Sequence, residues 1–487
     1  MKINPCLLLD GYKTDHRRQY PKNTEVVYSN LTARGSRIEG INSTIFFGLQ
    51  YFIKEYLIKQ WNENFFNQPK EKVCGEFKEV LEQYCGLTDY KHIEDLHDLG
   101  YLPIRIKAVP EGMEVPLRVP MFTIVNTLPE FFWLTNALET SISNILWMPI
   151  TSATIANDYR KTFEKYAKET GANTDLIPWQ GHDFSYRGLV GTEAACLVGS
   201  GHLTSFTGSD TVPTLPFLKE YYNADGLICG TVPATEHSVM CLGGNDDEIG
   251  TFKRLITEIY PNGIVSIVSD TWDFWKVVTE YLPTLKDEIM SRDGKVVIRP
   301  DSGDPVEIIC GRPWDFKDFE GGSNHPVVKG LIECLWDTFG GTINDKGFKV
   351  LDPHIGAIYG DSITMDRQEQ ILSRLKEKGF SSENIVLGIG SFTYQYNTRD
   401  TFGMAVKATY GEVNGEPRNI FKDPKTDDGL KKSMKGLLKV NEDFTVDQEC
   451  DWSKESEGIL QTVFEDGKLI KEFTLDEVRH NVKSNQA

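Results

Sequence analysis

The chain is short of positive charge for its size. Lys and Arg number 52 against 71 Asp and Glu, a net charge of −19. A nucleic-acid-binding chain would carry a basic footprint, and an anionic membrane surface would repel one this acidic. Both partners are therefore excluded on this reading. No stretch approaches 18 consecutive apolar residues, so no membrane-spanning helix is expected. Leu7-Leu8-Leu9 is too short for a secretory signal core, and Asp10 follows at once. Cysteine is sparse and unpatterned: nine residues, an odd number, with no CxxC pair. That fits a reducing, cytoplasmic location better than a disulfide framework. There is no HxH or HExxH, so no protein zinc site is expected. Low-complexity tracts are absent.

What the chain does have is a recurring device. Lys295-Val296-Val297-Ile298-Arg299 reads as a buried strand that stops at Pro300, since proline has no N–H for a ladder. It runs into the polar turn Asp301-Ser302-Gly303-Asp304. Val265–Val268 likewise runs into Ser269-Asp270-Thr271, Ile355–Tyr359 into Gly360-Asp361-Ser362, and Ile385–Leu387 into Gly388-Ile389-Gly390-Ser391. Upstream, His182–Gly188 and Val232–Ser238 look like further polar strand ends. Asp270 and Asp301 stand 31 residues apart, and Asp361 and Gly390 stand 29 apart. A βα unit takes about 30 residues, so about seven fit between Asp183 and Gly390. The pattern predicts an α/β fold: an incomplete (β/α) barrel of about seven units, with one rim carrying all these turns.

Around it, residues 1–180 read as an N-terminal α+β region, 181–395 as the barrel-like domain, and 396–487 as a C-terminal segment packing with the N-terminal α+β domain. Val26 to Arg34 alternates like a half-buried strand. A helix is predicted to begin near Gly48, a short strand over Ile104–Val109, and two helices over 131–147 and 153–168. Gly311 to Val328 reads as an inserted surface loop. Phe402 to Tyr410 looks like a strand. Lys422, Lys425, Lys431, Lys432, Lys435 and Lys439 make a local basic stretch. Thr474 with Glu477 is a capping-box signal for a last helix.

The strand ends carry chemistry. Glycines at 360, 388 and 390 would let backbone N–H groups approach phosphate, or would merely permit tight turns. Arg187, Arg299, Arg399 and Lys407 supply cations, each charge-assisted bond to phosphate contributing about 1.5–3 kcal/mol. Asp270, Asp301 and Asp361 could act as metal ligands, acid/base groups or hydroxyl acceptors. Mg²⁺ arriving with a polyphosphate needs few protein ligands. His237, beside Glu236, is a candidate base or nucleophile. Phe184 and Tyr12 are aromatics within polar clusters, suited to stacking on a flat ring.

In order along nearly the whole chain, the motifs Asp10-Gly11-Tyr12-Lys13, His182-Asp183-Phe184-Ser185-Tyr186-Arg187-Gly188, Gly208-Ser209-Asp210-Thr211, Thr235-Glu236-His237-Ser238, Arg299-Pro300-Asp301-Ser302-Gly303, Gly360-Asp361 and Thr398-Arg399-Asp400 resemble the nicotinamide phosphoribosyltransferases, of the type II phosphoribosyltransferase family. The resemblance implies condensation of nicotinamide with 5-phosphoribosyl 1-pyrophosphate to nicotinamide mononucleotide and pyrophosphate, with Mg²⁺, in NAD salvage. It implies a homodimer with shared active sites, the pyridine ring lying between Phe184 and Tyr12 of the partner subunit. Asp210 would take the carboxamide NH₂; Arg187, His237 and Arg299 would contact pyrophosphate; Asp301 would bind ribose hydroxyls. Gly360, Asp361, Gly390, Ser391, Arg399, Lys407 and Arg34 would hold the rest of the nucleotide. His237, Asp301 and Asp270 form the implied catalytic set, His237 being phosphorylated from ATP, the activating co-substrate. Ser391 and Ala405 depart from the family's usual glycine and serine. An anionic Asp210 would accept from an amide and repel a carboxylate, which favours nicotinamide over nicotinate. The alternatives are a nicotinate phosphoribosyltransferase, a non-catalytic binding protein of the same fold, and a metal-dependent barrel hydrolase.

Overall fold

A computed structural model describes residues 3–313, 322–421 and 434–485. Residues 314–321 of the Gly311–Val328 insertion and Lys422, Lys425, Lys431 and Lys432 of the basic stretch lie outside the described residues. Contacts divide the chain into two units: 1–154 with 216–225 and 397–487, and 155–215 with 226–396. The sequence reading cut the chain at 180/181, where strand periodicity changes. The contact boundary lies earlier, within helix Glu139–Thr170, because periodicity reports element type and not which core an element packs on.

The second unit is built on a parallel sheet in the order 208–209, 181–183, 385–389, 355–359, 296–299, 265–268. Its runs Val265–Val268 and Ile355–Tyr359 are buried along their whole length, as in a sheet covered on both faces. The ring of backbone bonds continues through Gly230–Ala234, which bridges Gly208 on one side and Ser266 on the other. Gly230 N donates to Thr207 O at 2.9 Å, and Ser266 N to Pro233 O at 2.9 Å. Six strands and this bridging segment thus make seven rungs, the number the spacing predicts. All run the same way, so every carboxyl end faces one rim.

The first unit holds a seven-stranded sheet in the order 416–419, 405–413, 24–32, 120–126, 104–108, 461–465, 468–469. N- and C-terminal segments therefore build one α+β unit, as expected. Thr24–Thr32 is central and buried on both faces beyond Glu25 and Val26, not half-buried. Its polar residues Ser29, Asn30 and Thr32 mimic alternation but are themselves buried. The two predicted helices are one continuous helix, Glu139–Thr170, with Pro149 inside it. Proline removes a single N–H from the ladder, while Ile142, Leu146, Ile150 and Ala153 keep the flanking turns buried. Gly48, at φ +105, passes so close to this proline that a Cβ would stand 2.6 Å from its Cγ. The capping box is present: Glu477 N donates to Thr474 Oγ1 at 3.2 Å, and Thr474 N to Glu477 Oε2 at 2.7 Å.

Candidate active site

The barrel rim gathers most of the residues singled out in the sequence. Asp270 follows strand Val265–Val268, Asp301 follows Val296–Arg299, Asp361 follows Ile355–Tyr359, and Gly390 with Ser391 follow Ile385–Ile389. Phe184 and Asp210 follow the strands ending at Asp183 and Ser209. His237 opens helix His237–Gly243, just after the bridging segment.

Asp270 is the hub of one cluster. Its side chain is only 4% exposed. Oδ2 accepts from Asp301 N at 2.9 Å and Ser302 Oγ at 2.5 Å. Oδ1 is buried and has no hydrogen-bond partner among the described residues; His237 Nε2 stands 3.9 Å from it. The other imidazole nitrogen lies 3.2 Å from Thr271 Oγ1. Arg299 Nη2 donates to Thr235 O at 2.5 Å, and its Nε lies 3.7 Å from Asp301 Oδ2. Burial pushes the Asp301 carboxyl up; Arg299 opposes that, while Asp270 and Asp361 add to it.

A second cluster surrounds Phe184. The His182 ring lies 4.7 Å from that of Phe184, and its Nε2 stands 3.1 Å from Asp210 Oδ1. Burial alone would raise the Asp210 carboxyl. Hydrogen bonds from His182 and Thr231, with the charges of His182 and Arg299, outweigh it and hold the group below its usual range. The glycines have a further structural reason beyond turn geometry. A Cβ on Gly388 would stand 2.3 Å from Phe184 Cδ2, and one on Gly360 3.1 Å from Cε2, so both make room for this ring. Around Gly390 the space is open. Ser391 lies against Gly188, next to the exposed Arg187: a Cβ on that glycine would stand 2.4 Å from the serine's own. Asp361 accepts from Ser362 Oγ at 2.6 Å.

Four predicted residues belong to the first unit. Tyr12 is 67% exposed. Lys13, whose ammonium lies 5.9 Å from the Tyr12 ring centre, pairs with Glu139 at 2.6 Å, and Lys407 approaches the same carboxylate at 3.8 Å. Arg34 Nε donates to Gly403 O at 2.9 Å. Arg399 lies exposed beside Asp400, at 3.5 Å. Of the late lysines, Lys435 and Lys439 pair with Glu449 and Glu457.

Sequence reasoning gave no role to His182, Thr235 or Ser302. Each sits one or two residues from a residue it singled out, but their contacts cross between strands and no spacing reveals them.

The family model for nicotinate phosphoribosyltransferase matches residues 179–468, and that for the nicotinamide phosphoribosyltransferase N-terminal domain matches residues 4–106. The chain belongs to the nicotinate phosphoribosyltransferase family. It is 51% identical to the nicotinamide phosphoribosyltransferase of Acinetobacter baylyi, over 99% of this chain and 97% of that one. It is 35% identical to the same-named protein of Mycoplasma pneumoniae, over 87% and 93%. In fold it resembles nicotinate-nucleotide pyrophosphorylase from Pyrococcus furiosus, with TM-score 0.59, 14% identity and coverage of 99% and 95%. Human nicotinic acid phosphoribosyltransferase is similar at TM-score 0.57 and 14% identity, covering 98% and 93%. Membership makes this chain an enzyme of phosphoribosyl transfer. No helix among its described residues is long and apolar enough to cross a membrane.

Proposed function

We propose that this family member condenses nicotinamide with 5-phosphoribosyl 1-pyrophosphate, releasing pyrophosphate and forming nicotinamide mononucleotide for NAD salvage. One observation carries the choice of base: an ionised, half-exposed Asp210 linked through His182 to the stacking ring of Phe184. A carboxylate there accepts from a carboxamide and repels a carboxylate. Both named relatives share the proposed activity in their names.

Displacement at the anomeric carbon passes through an oxocarbenium-like state and needs its leaving group neutralised, not a protein nucleophile. Arg187 and Arg299, with His237, are the groups on this rim for pyrophosphate, Asp301 the acceptor for ribose hydroxyls. Gly360, Asp361, Gly390 and Ser391, with Arg34, Arg399 and Lys407, take the rest of the nucleotide. An all-oxygen donor set suits Mg²⁺ carried by the pyrophosphate. No group of three or more His, Cys, Asp or Glu among the described residues is placed to hold a metal ion, so most of that set would come from the pyrophosphate itself, with the unpartnered Oδ1 of Asp270 one acceptor beside it. When bound, the ion would neutralise leaving-group charge. His237 is half exposed and braced by Thr271, which suits phosphorylation from ATP.

A homodimer with shared sites, each pyridine capped by Tyr12 of the partner subunit, belongs to this reading. The exposure of Tyr12 supports it. A cytoplasmic location also belongs to this reading, and the nine free cysteines conform to it.

The test is mononucleotide formation with nicotinamide and, in parallel, nicotinate, each with phosphoribosyl pyrophosphate and Mg²⁺, for wild type and Asp210→Ala. Turnover of nicotinamide alone, with the preference lost in the variant, is expected. Turnover of nicotinate instead overturns the substrate assignment.

A further inference from the structure

One residue before Phe184 lies a carboxyl that the chemistry proposed above does not use. Asp183 ends strand Gly181–Asp183 and is fully buried. Its Oδ1 accepts from Ser185 N at 2.9 Å and Ser185 Oγ at 2.6 Å. Its Oδ2 accepts from Thr211 Oγ1 at 2.6 Å and Ser209 Oγ at 3.1 Å. Its backbone oxygen accepts from Asp210 N at 2.9 Å. One oxygen therefore holds the residue after Phe184, and the other the residues on either side of Asp210.

None of the four side-chain bonds comes from a cation. A buried carboxyl is costly unless its oxygens are hydrogen-bonded, and here both are, by donors fixed in the two neighbouring turns. The surroundings are shaped to it. Gly199, on helix Gly191–His202, approaches so closely that a Cβ would stand 2.4 Å from Thr214 Oγ1 and 3.4 Å from Asp183 Oδ2. Ser209 also accepts from Thr211 N at 3.0 Å, closing the turn that presents Asp210.

We infer that Asp183 is a positioning residue, coupling the turn that carries the stacking ring to the turn that carries the amide acceptor. The catalytic reading above supplies the substrate, so this inference rests on it for the kinetics but not for the coupling. Positioning of this kind acts on base binding: an ångström of misplacement between ring and acceptor is felt there first.

The experiment compares wild type with Thr211→Val and Ser185→Ala, each of which leaves the carboxylate in place and removes one donor. Amide hydrogen exchange is followed in segments 184–188 and 208–213 of the intact protein. In Thr211→Val the distant segment 184–188 is expected to exchange faster, and in Ser185→Ala the segment 208–213. Changes confined to the mutated turn overturn the coupling. In the same variants the KM for whichever pyridine base the wild type uses is expected to rise about tenfold, with the KM for phosphoribosyl pyrophosphate unchanged. Equal rises in both, or none in either, overturn the positioning role. If the wild type uses nicotinate, the substrate assignment falls while the exchange result still decides the coupling.

Discussion

His182 Nε2 stands 3.1 Å from Asp210 Oδ1, and the same imidazole packs its ring 4.7 Å from that of Phe184. A histidine given no role in the sequence thus joins the two groups proposed to hold the pyridine. The arrangement makes the state of Asp210 depend on its neighbour.

Replacing that neighbour gives the first prediction. His182→Ala removes a hydrogen bond to an ionised group, about 1.5–3 kcal/mol. The Asp210 carboxyl then rises toward its ordinary value, because burial is no longer opposed as strongly. Stability from a depressed carboxyl is present above the unfolded pKa and lost as pH falls through the folded one. The variant is therefore expected to be less stable than wild type near neutral pH, the gap closing as pH falls through the acid range. Its KM for nicotinamide is expected to rise about tenfold or more; an unchanged KM at neutral pH would count against the pairing.

Two glycines on one strand end separate ring packing from backbone access. Gly388→Ala places a methyl 2.3 Å from the Phe184 ring and 2.8 Å from Gly360 Cα, where little can yield. Overpacking of this kind costs about 1–3 kcal/mol, and the displaced ring should raise the KM for the base. Gly390→Ala meets open space at an extended φ of −104. Its melting temperature should stay close to wild type, so any loss of turnover there reports on phosphate access alone.

Glu248, a residue with no part in the proposed chemistry, gives a pH signature. Its residue is almost fully buried, and Oε1 has no hydrogen-bond partner among the described residues. Burial, then Asp273, pushes its carboxyl from 4.5 up to about 7, with Lys276 opposing. A carboxyl raised in the folded state destabilises that state once ionised. Stability is thus lost as pH climbs from about 4.5 to about 7. Glu248→Gln should match wild type near pH 4 and exceed it above pH 7. With allowance for solvent screening, the gain is on the order of 1 kcal/mol, read by urea unfolding across that range.

In the first unit, Lys107 and Glu455 form a buried pair at 3.1 Å, their side chains 9% and 3% exposed. Lys107 also donates to Glu455 O at 2.7 Å. Lys107→Met leaves a buried carboxylate without its cation, a loss of about 3–5 kcal/mol. Adding Glu455→Leu should restore most of it, since well-packed apolar replacements of a buried pair are often neutral. Denaturant unfolding of the single and double variants measures both terms.

Much of the architecture was legible because it rests on local signals. Apolar runs ending in Pro300, Gly360 and Gly388, spaced about 30 residues apart, state a (β/α) rhythm. Thr474 and Glu477 state a helix start by local hydrogen bonding alone. Reading failed where burial departs from pattern. Ser29, Asn30 and Thr32 look like a solvated face but sit in the middle of a seven-stranded sheet. Pro149 looks like a break, but the packed turns on either side carry the helix through it.

By itself, then, the sequence determined which chemical groups end which strands, since strand length, turn residues and periodicity are properties of neighbours along the chain. Only the tertiary structure decided which of those ends touch. That Asp270 receives Ser302, that Asp210 receives His182, and that Gly388 clears space for Phe184 all follow from parallel pairing between segments far apart in sequence. Such contacts are set by sheet order and by the close packing of the ring's interior, and no periodicity along the chain encodes either.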